Sequence, residues 1–237
     1  MTGYYERLPR LSDLSAWYIL GGAAPDTDLL EGKLLTRAGT LIALEGQDDV
    51  VLDTLLERLY RWLRGEGVPV ERAEAPTRSP IGALLRLERQ GRLHFDPASL
   101  ALLWAADRLD QLGREDGLRA SLEQGCVVLA ARYVLYAYAL LAGGVRGSGR
   151  VDEEDGVDPA WLERINALSD PPDLTLYIGP LSGGMSLSAR EEFLLEVAER
   201  LGGRLVRLTG CETLDAAEAA CRQQIAAQLG RGEEGPC

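Results

Sequence analysis

The sequence predicts an α/β protein in three layers, with helices on both faces of a parallel five-stranded sheet. Three observations predict it. Short apolar runs at residues 40–45, 68–70, 126–130, 174–178 and 205–208 alternate with longer stretches of helical periodicity, the pattern of parallel strands joined by crossover helices. The run Cys126-Val127-Val128-Leu129-Ala130 is apolar at every position, as in a strand covered on both faces. With 46% hydrophobic residues over 237 positions, one domain of ordinary size can bury a sizeable core.

The elements follow in order. Residues 40–45 form the first strand. A helix over 49–64 carries Leu52, Leu55, Leu56, Leu59 and Leu63 along one face, and Gly65-Glu66-Gly67 stops it. Residues 68–70 begin a second strand. Ser79-Pro80 opens the next helix, with Ser as N-cap and Pro in the first turn. Asp96-Pro97 repeats that signal for a helix running to Leu112, and another spans about 115–124. After the strand at 126–130, residues 132–141 read as a very apolar helix. Residues 143–158 change character: they are glycine-rich, then acidic at Asp152-Glu153-Glu154-Asp155, a flexible loop. Helices over 159–168, 186–201 and 213–229 interleave with the last two strands, Ser186 or Ser188 capping the second of them.

Three segments result: an N-terminal extension (1–38), the α/β domain (39–229) and a disordered tail (230–237). The extension carries Tyr4, Tyr5, Trp17 and Tyr18. It either packs on its own domain or docks on another protein, since aromatics are common interface anchors. A net charge of −12 with scattered basic residues argues against nucleic acid or an anionic membrane as partner. The single histidine, His94, leaves no His-based metal site or catalytic dyad. The four cysteines, Cys126, Cys211, Cys221 and Cys237, form no CxxC pair, so no metal and no cofactor are expected. The apolar run around 17–24 is too short to span a bilayer and lacks a basic flank, so a cytoplasmic location is expected.

The turn between the first strand and the first helix stands where a phosphate-binding loop would sit. That loop reads Gly, four residues, Gly, Lys, then Ser or Thr. Counting from Gly46, the second Gly is Val51, the Lys is Leu52 and the hydroxyl residue is Asp53. Val51 opposes the close approach of phosphate that glycine permits. Leu52 cannot bridge phosphates, and Asp53 adds negative charge where magnesium and phosphate would meet. The carboxylates instead suit a vacant helix N-terminus. Two readings follow: Asp49 or Asp53 fills the anion site, or the segment is an ordinary αβ unit that never held phosphate.

Several motifs in order carry a family resemblance. Leu44-Glu45-Gly46-Gln47-Asp48 resembles the first-strand signature of thymidylate kinases. Ser79-Pro80-Ile81-Gly82 with Leu85-Arg86 is similar to the family's Thr-Pro-Ile-Gly segment. Leu102-Leu103-Trp104-Ala105-Ala106-Asp107-Arg108 resembles its Leu-Leu-Phe-Ala-Ala-Asp-Arg helix, Gly125 to Tyr133 its strand ending Asp-Arg-Tyr, and Pro172-Asp173-Leu174-Thr175-Leu176-Tyr177 its Pro-Asp-Leu-Thr-Leu-Tyr strand. The resemblance covers about residues 39–180 and implies a P-loop kinase-like fold. It further implies that Trp104 stacks on the base, Arg108 hydrogen-bonds it, Arg132 holds the monophosphate and Asp48 helps orient it. Trp104 and Arg108 are i,i+4 on one helix face and can share a wall. The alternative makes Trp104 core and pairs Arg108 with Asp107 or a surface acid.

The departures concern catalysis. Glu74 stands where the family has the arginine of Arg-Glu-Pro-Gly-Gly, and Ala131 replaces the Asp of Asp-Arg-Tyr. Ile178-Gly179-Pro180-Leu181-Ser182-Gly183-Gly184 leads almost directly into the next helix, without the family's arginine-bearing lid. Phosphoryl transfer is largely positioning and charge neutralisation by Lys, Arg and Mg²⁺. The expectation is a catalytically inactive thymidylate kinase-like protein that binds another protein, as homodimer or heteromer. The alternatives are a sensor of a pyrimidine monophosphate and an active dTMP kinase. Val134 to Leu141 is almost wholly apolar, so an interface through Leu135, Tyr138 and Leu141 is expected.

Overall fold

β1 (Thr40–Gly46) takes the centre of a sheet because its side chains find a core on either side. Leu41 and Ala43 enter one core, Ile42 and Leu44 the other, as the period-2 alternation of a strand requires. β3 (Val127–Ala131) and β4 (Leu174–Ile178) flank it and are buried at every position. β2 (Val70–Ala73) and β5 (Arg204–Leu208) form the edges. The strand order is β2-β3-β1-β4-β5 and all pairs are parallel, with Ile42 opposite Leu129 on one side and Leu174 on the other. The computed structural model describes residues 38–141, 157–181 and 189–230.

Two helices cover one face. α1 (Asp49–Gly65) buries Leu52, Leu55, Leu59 and Leu63, and α8 (Leu214–Gly230) buries Ala217, Cys221 and Ile225, all against Ile42, Leu44, Leu129 and Leu176. The other face carries α2 (Pro80–Arg89), α3 (Pro97–Gly113), α4 (Leu118–Glu123), α5 (Leu135–Leu141), α6 (Pro159–Asn166) and α7 (Ala189–Leu201). The result is the helix–sheet–helix arrangement that the strand alternation implies. The caps are those expected: the Ser79 hydroxyl accepts from Gly82 N at 3.0 Å, and Asp96 accepts from Ser99 N at 3.0 Å. No described helix is long and apolar enough to cross a membrane.

The structure moves three element boundaries. β2 starts at Val70, because Pro69 has no N–H to give the ladder and contributes only a carbonyl, to Val127 N at 2.8 Å. α4 is confined to Leu118–Glu123, with Gly117 as its N-cap. α5 starts at Leu135 rather than 132, because Arg132 has φ +56°, a left-handed conformation that no right-handed helix contains.

A fourth correction bears on function. Leu135 and Tyr138 do not face outward. Both are fully buried in the chain's own core, where α5 packs on α3, α6, α7 and β1. Val134, Leu135, Ala137 and Tyr138 are accounted for by burial within one chain. The side chain of Leu141 lies outside the described residues, as do residues 1–37, most of the acidic loop, the Ser186 and Ser188 caps, residues 182–188 where a lid would stand, and residues 231–237.

Candidate functional site

The C-terminal end of β1 and the start of α1 are separated by two residues, Gln47 and Asp48. A loop that wraps phosphate needs a longer non-helical stretch than this. Here the positions counted from Gly46 as second glycine, lysine and hydroxyl residue all lie inside α1. The Asp48 carboxylate caps it, accepting from Val50 N at 2.9 Å and Val51 N at 3.0 Å, while Leu52 N is bonded to Asp48 O at 3.0 Å. The N–H groups of Val50, Val51 and Leu52 therefore have partners. The capping residue is Asp48, which corrects the expectation that Asp49 or Asp53 would fill this place. N-cap geometry favours it: Asp48 has extended backbone (φ −95°, ψ 104°) directly before the first helical residue.

The other loop positions follow from packing. Leu52 points inward and is buried with Leu44, Leu55 and Ile178, so its side chain cannot reach outward as the template lysine does. Gly46 survives for a reason unrelated to phosphate. A Cβ built there would lie 2.6 Å from Ile178 O, so only glycine lets β1 and β4 pair so closely at this level. Val50, beside the cap, is largely exposed. The nearest helical hydroxyl, Thr54, donates to Val50 O at 2.7 Å. A cleft of about 550 Å³ opens over this turn, lined by Gln47, Asp48, Asp49, Val51 and, across it, Gly179 and Pro180.

Arg132 ends β3 and turns its guanidinium toward α1. Its N–H donates to Leu44 O at 3.0 Å, which fixes the left-handed backbone against β1. The side chain is 6% exposed and forms an ion pair through Nη2 with Asp53, with Nη1 3.4 Å from Asp49 O and 3.6 Å from Asp49 Oδ1. Asp49 also accepts from Arg89 Nη2 at 2.5 Å. No contact joins Arg132 to Asp48.

Trp104 and Arg108 do share a wall, as their spacing implies, but the space before them is closed. The cavity they line with Arg132, Glu74, Gln111 and Tyr133 holds about 20 Å³, room for roughly one water. Trp104 is buried in the core and meets Tyr136 edge-to-face at 5.1 Å. Arg108 bonds Asn166 Oδ1 at 2.5 Å and Tyr133 O at 2.6 Å, and lies over the Tyr133 ring at 5.2 Å. Burial pushes its guanidinium below the usual value, opposed by Tyr133 and Glu45. The Asp107 pairing is not made. Asp107 instead accepts from Thr77 N at 2.8 Å, Thr77 Oγ1 and Ser79 Oγ at 2.9 Å, bracing the turn before α2. That turn admits only glycine at position 82, where a Cβ would lie 2.0 Å from Thr77 O.

Sequence reasoning gave no role to Glu45. It is buried at the end of β1, where burial raises its pKa to about 7 against the opposing effects of Leu135 N–H, Arg108 and Arg132. It accepts from Leu135 N at 3.1 Å and so holds the start of α5. Tyr177 on β4 lies nearby. Its hydroxyl donates to Glu191 at 3.2 Å, and burial, reinforced by Glu191, pushes its pKa well up. The signal available in the sequence was Glu45 itself, one carboxylate inside an apolar strand. Among the described residues no group of three or more His, Cys, Asp or Glu could hold a metal ion.

A five-stranded parallel sheet with this strand order, and a helix launched from the end of its central strand, defines an α/β protein of the P-loop kinase type. Comparison with known proteins narrows the class. A thymidylate kinase from Alkalilimnicola ehrlichii is 28% identical over 225 residues, covering 83% of this chain and 96% of that protein. A probable thymidylate kinase from Caldivirga maquilingensis is 28% identical over 160 residues, 67% of this chain and 72% of its own. A thymidylate kinase from Bifidobacterium longum subsp. infantis reaches 35% over 116 residues, 45% of this chain and 47% of its own. No protein-family model matches the chain. The chain is thus similar in sequence to thymidylate kinases.

Proposed function

We propose that this protein is a catalytically inactive thymidylate kinase relative that works by binding another protein. One observation carries the reading: α1 begins at Asp49 and its leading N–H groups are capped by Asp48. The nucleotide kinase mechanism needs open N–H groups, a lysine and a magnesium-binding hydroxyl at this turn. This chain supplies a capped helix end, a buried leucine and an aspartate there. A coupled ADP-release assay with dTMP, ATP and Mg²⁺ tests the reading, with no turnover above background expected. Turnover that disappears in Arg132→Gln would overturn it.

The partner is a second copy of the chain or another protein. With Leu135 and Tyr138 committed to the core, the exposed apolar residues Leu84 on α2 and Leu102 on α3 support a contact through that neighbouring pair of helices. Light scattering reads the mass directly, and for a homodimer Leu102→Glu lowers it to one chain. A wild-type mass of one chain removes the homodimer.

A second reading, a pyrimidine monophosphate sensor, draws on two buried donors. Trp104 Nε1 and Arg132 Nε have no hydrogen-bond partner, and both residues line the same small cavity. Binding a base there requires the cavity to widen. Fluorescence quenched by dTMP but not ATP, and lost in Trp104→Phe, would favour the sensor over the protein-binding role.

A further inference from the structure

We infer that the free edge of β5 is a docking strip for an extended acidic segment of a partner protein. That segment adds as one more strand and presents acid, apolar, apolar, acid to Arg204, Leu205, Val206 and Arg207. The inference deepens the protein-binding reading and rests on it.

The register dictates which backbone groups are free. Arg204 lies opposite Leu174 and gives its N–H to Asp173 O at 2.9 Å, and Leu208 O accepts from Gly179 N at 3.1 Å. In a parallel ladder alternate residues bond the same neighbour, so Arg204, Val206 and Leu208 face β4. Leu205 and Arg207 turn their N–H and C=O groups the other way, where no strand follows β5 in the sheet. Those groups form a row of donors and acceptors at the spacing that strand addition uses.

The side chains add specificity. β3 and β4 are buried at every position, whereas Leu205 and Val206 are only partly buried, each against a different core. Apolar residues of a neighbouring strand would take that surface out of water. Arg207 shares the face of Leu205; it is paired with Glu199 of α7 at 2.9 Å and remains 48% exposed. Arg204 shares the face of Val206. Its Nη2 donates to Gln224 of α8 at 2.6 Å, and its Nη1 is buried without a hydrogen-bond partner. Gln224 is an amide and leaves the charge of Arg204 uncompensated. The order cation, apolar, apolar, cation is a palindrome, so its complement is the same whichever way the added strand runs. Gly202 and Gly203 before β5 and Gly210 after it are exposed, and a segment longer than β5 meets no side chain from them.

Charge decides the occupant. A second copy pairing edge to edge would bring like arginines together, which is how charged edges resist self-association. An acidic strand is instead drawn in. The opposite edge is a poorer receptor: β2 follows Pro69, exposes Glu71 beside Arg72, and Arg72 is already held by Glu57 and the Tyr60 ring.

The test uses the full chain and a fluorescein-labelled peptide with Glu-Val-Val-Glu at its centre and Ser-Gly flanks, read by anisotropy at low ionic strength. Saturable binding is expected, with the Lys-Val-Val-Lys counterpart about tenfold weaker. Of two peptides N-methylated at alternate residues in opposite phase, one should lose binding and the other keep it, because only one phase blocks the amides that face β5. Arg204→Glu combined with Arg207→Glu should reverse the preference and favour the lysine peptide by about tenfold, a gain that unfolding cannot produce; circular dichroism establishes that the variant is folded. Absence of binding to wild type would overturn the proposal. So would equal affinity for the two charges, tolerance of N-methylation in both phases, or an unchanged preference in the variant. A wild-type dimer that the peptide dissociates, seen by light scattering, would give the edge to a second copy and overturn the assignment of partner. None of these readouts involves turnover or the α2–α3 pair, so the edge can fail while the inactive, protein-binding reading stands. ADP release by the full chain would overturn that reading and leave the peptide result intact.

Discussion

At the scale of single residues, Glu45 ties stability to pH. Its pKa in the folded protein is raised to about 7 from 4.5. Between these values the folded state holds the proton and the unfolded state releases it. The contribution to stability is full below pH 4.5 and falls as pH rises through 7, by up to about 3 kcal/mol. Glu45→Gln keeps an acceptor for Leu135 N–H and removes the titration. Urea unfolding of that variant between pH 5 and 8 should show a flatter profile than wild type; an unchanged slope would mean another group titrates. Asp48 is a simpler case. Asp48→Ala strips the cap from α1 and is expected to cost about 1 kcal/mol, with Asp48→Asn costing less. A loss seen equally in both would show that charge, not the hydrogen bonds to Val50 and Val51, matters there.

At the scale of elements, α1 decides what the turn can do. Because it starts at Asp49, the position that aligns with lysine in the phosphate-loop template faces the core. Leu52→Lys would bury an ammonium among Leu44, Leu55 and Ile178. The expected result is a loss of several kcal/mol, in the range of a buried unpaired charge, and no gain of activity. A stable Leu52→Lys protein that turned over ATP would show that α1 can unwind at its start. Strands and helix caps were legible in the sequence, because Ser79, Asp96 and the apolar runs act locally. The site was legible only in part. The absence of lysine and hydroxyl residue could be read by counting, but which aspartate caps the helix could not, since that depends on how few residues separate β1 from α1. The burial of Leu135 and Tyr138 inside the chain was not legible for a related reason. Periodicity reports that a face is buried, and not whether the covering surface belongs to the same chain.

At the scale of the whole molecule, two cores share one sheet, and the central strands belong to both. β1, β3 and β4 therefore open only when both helix layers separate. Amide exchange should be slowest at residues 41–44, 128–130 and 175–177, approaching the rate set by global unfolding, and faster in β2 and β5 at the edges. Faster exchange in β1 than in β5 would mean that one layer detaches on its own. The same architecture explains how the strand order can persist whatever the residues at the end of the sheet. The sheet is held by hydrocarbon from both sides, and nothing in that packing depends on a ligand at its end.

Gly46 illustrates the separation. It sits at the first glycine of a nucleotide-binding signature, yet its hydrogen atom is what keeps Ile178 O from a collision. A methyl group in its place would wedge the two middle strands apart from below the cleft. The residue is masonry here: it would be irreplaceable whether or not a nucleotide is ever bound, and its presence is no witness to chemistry.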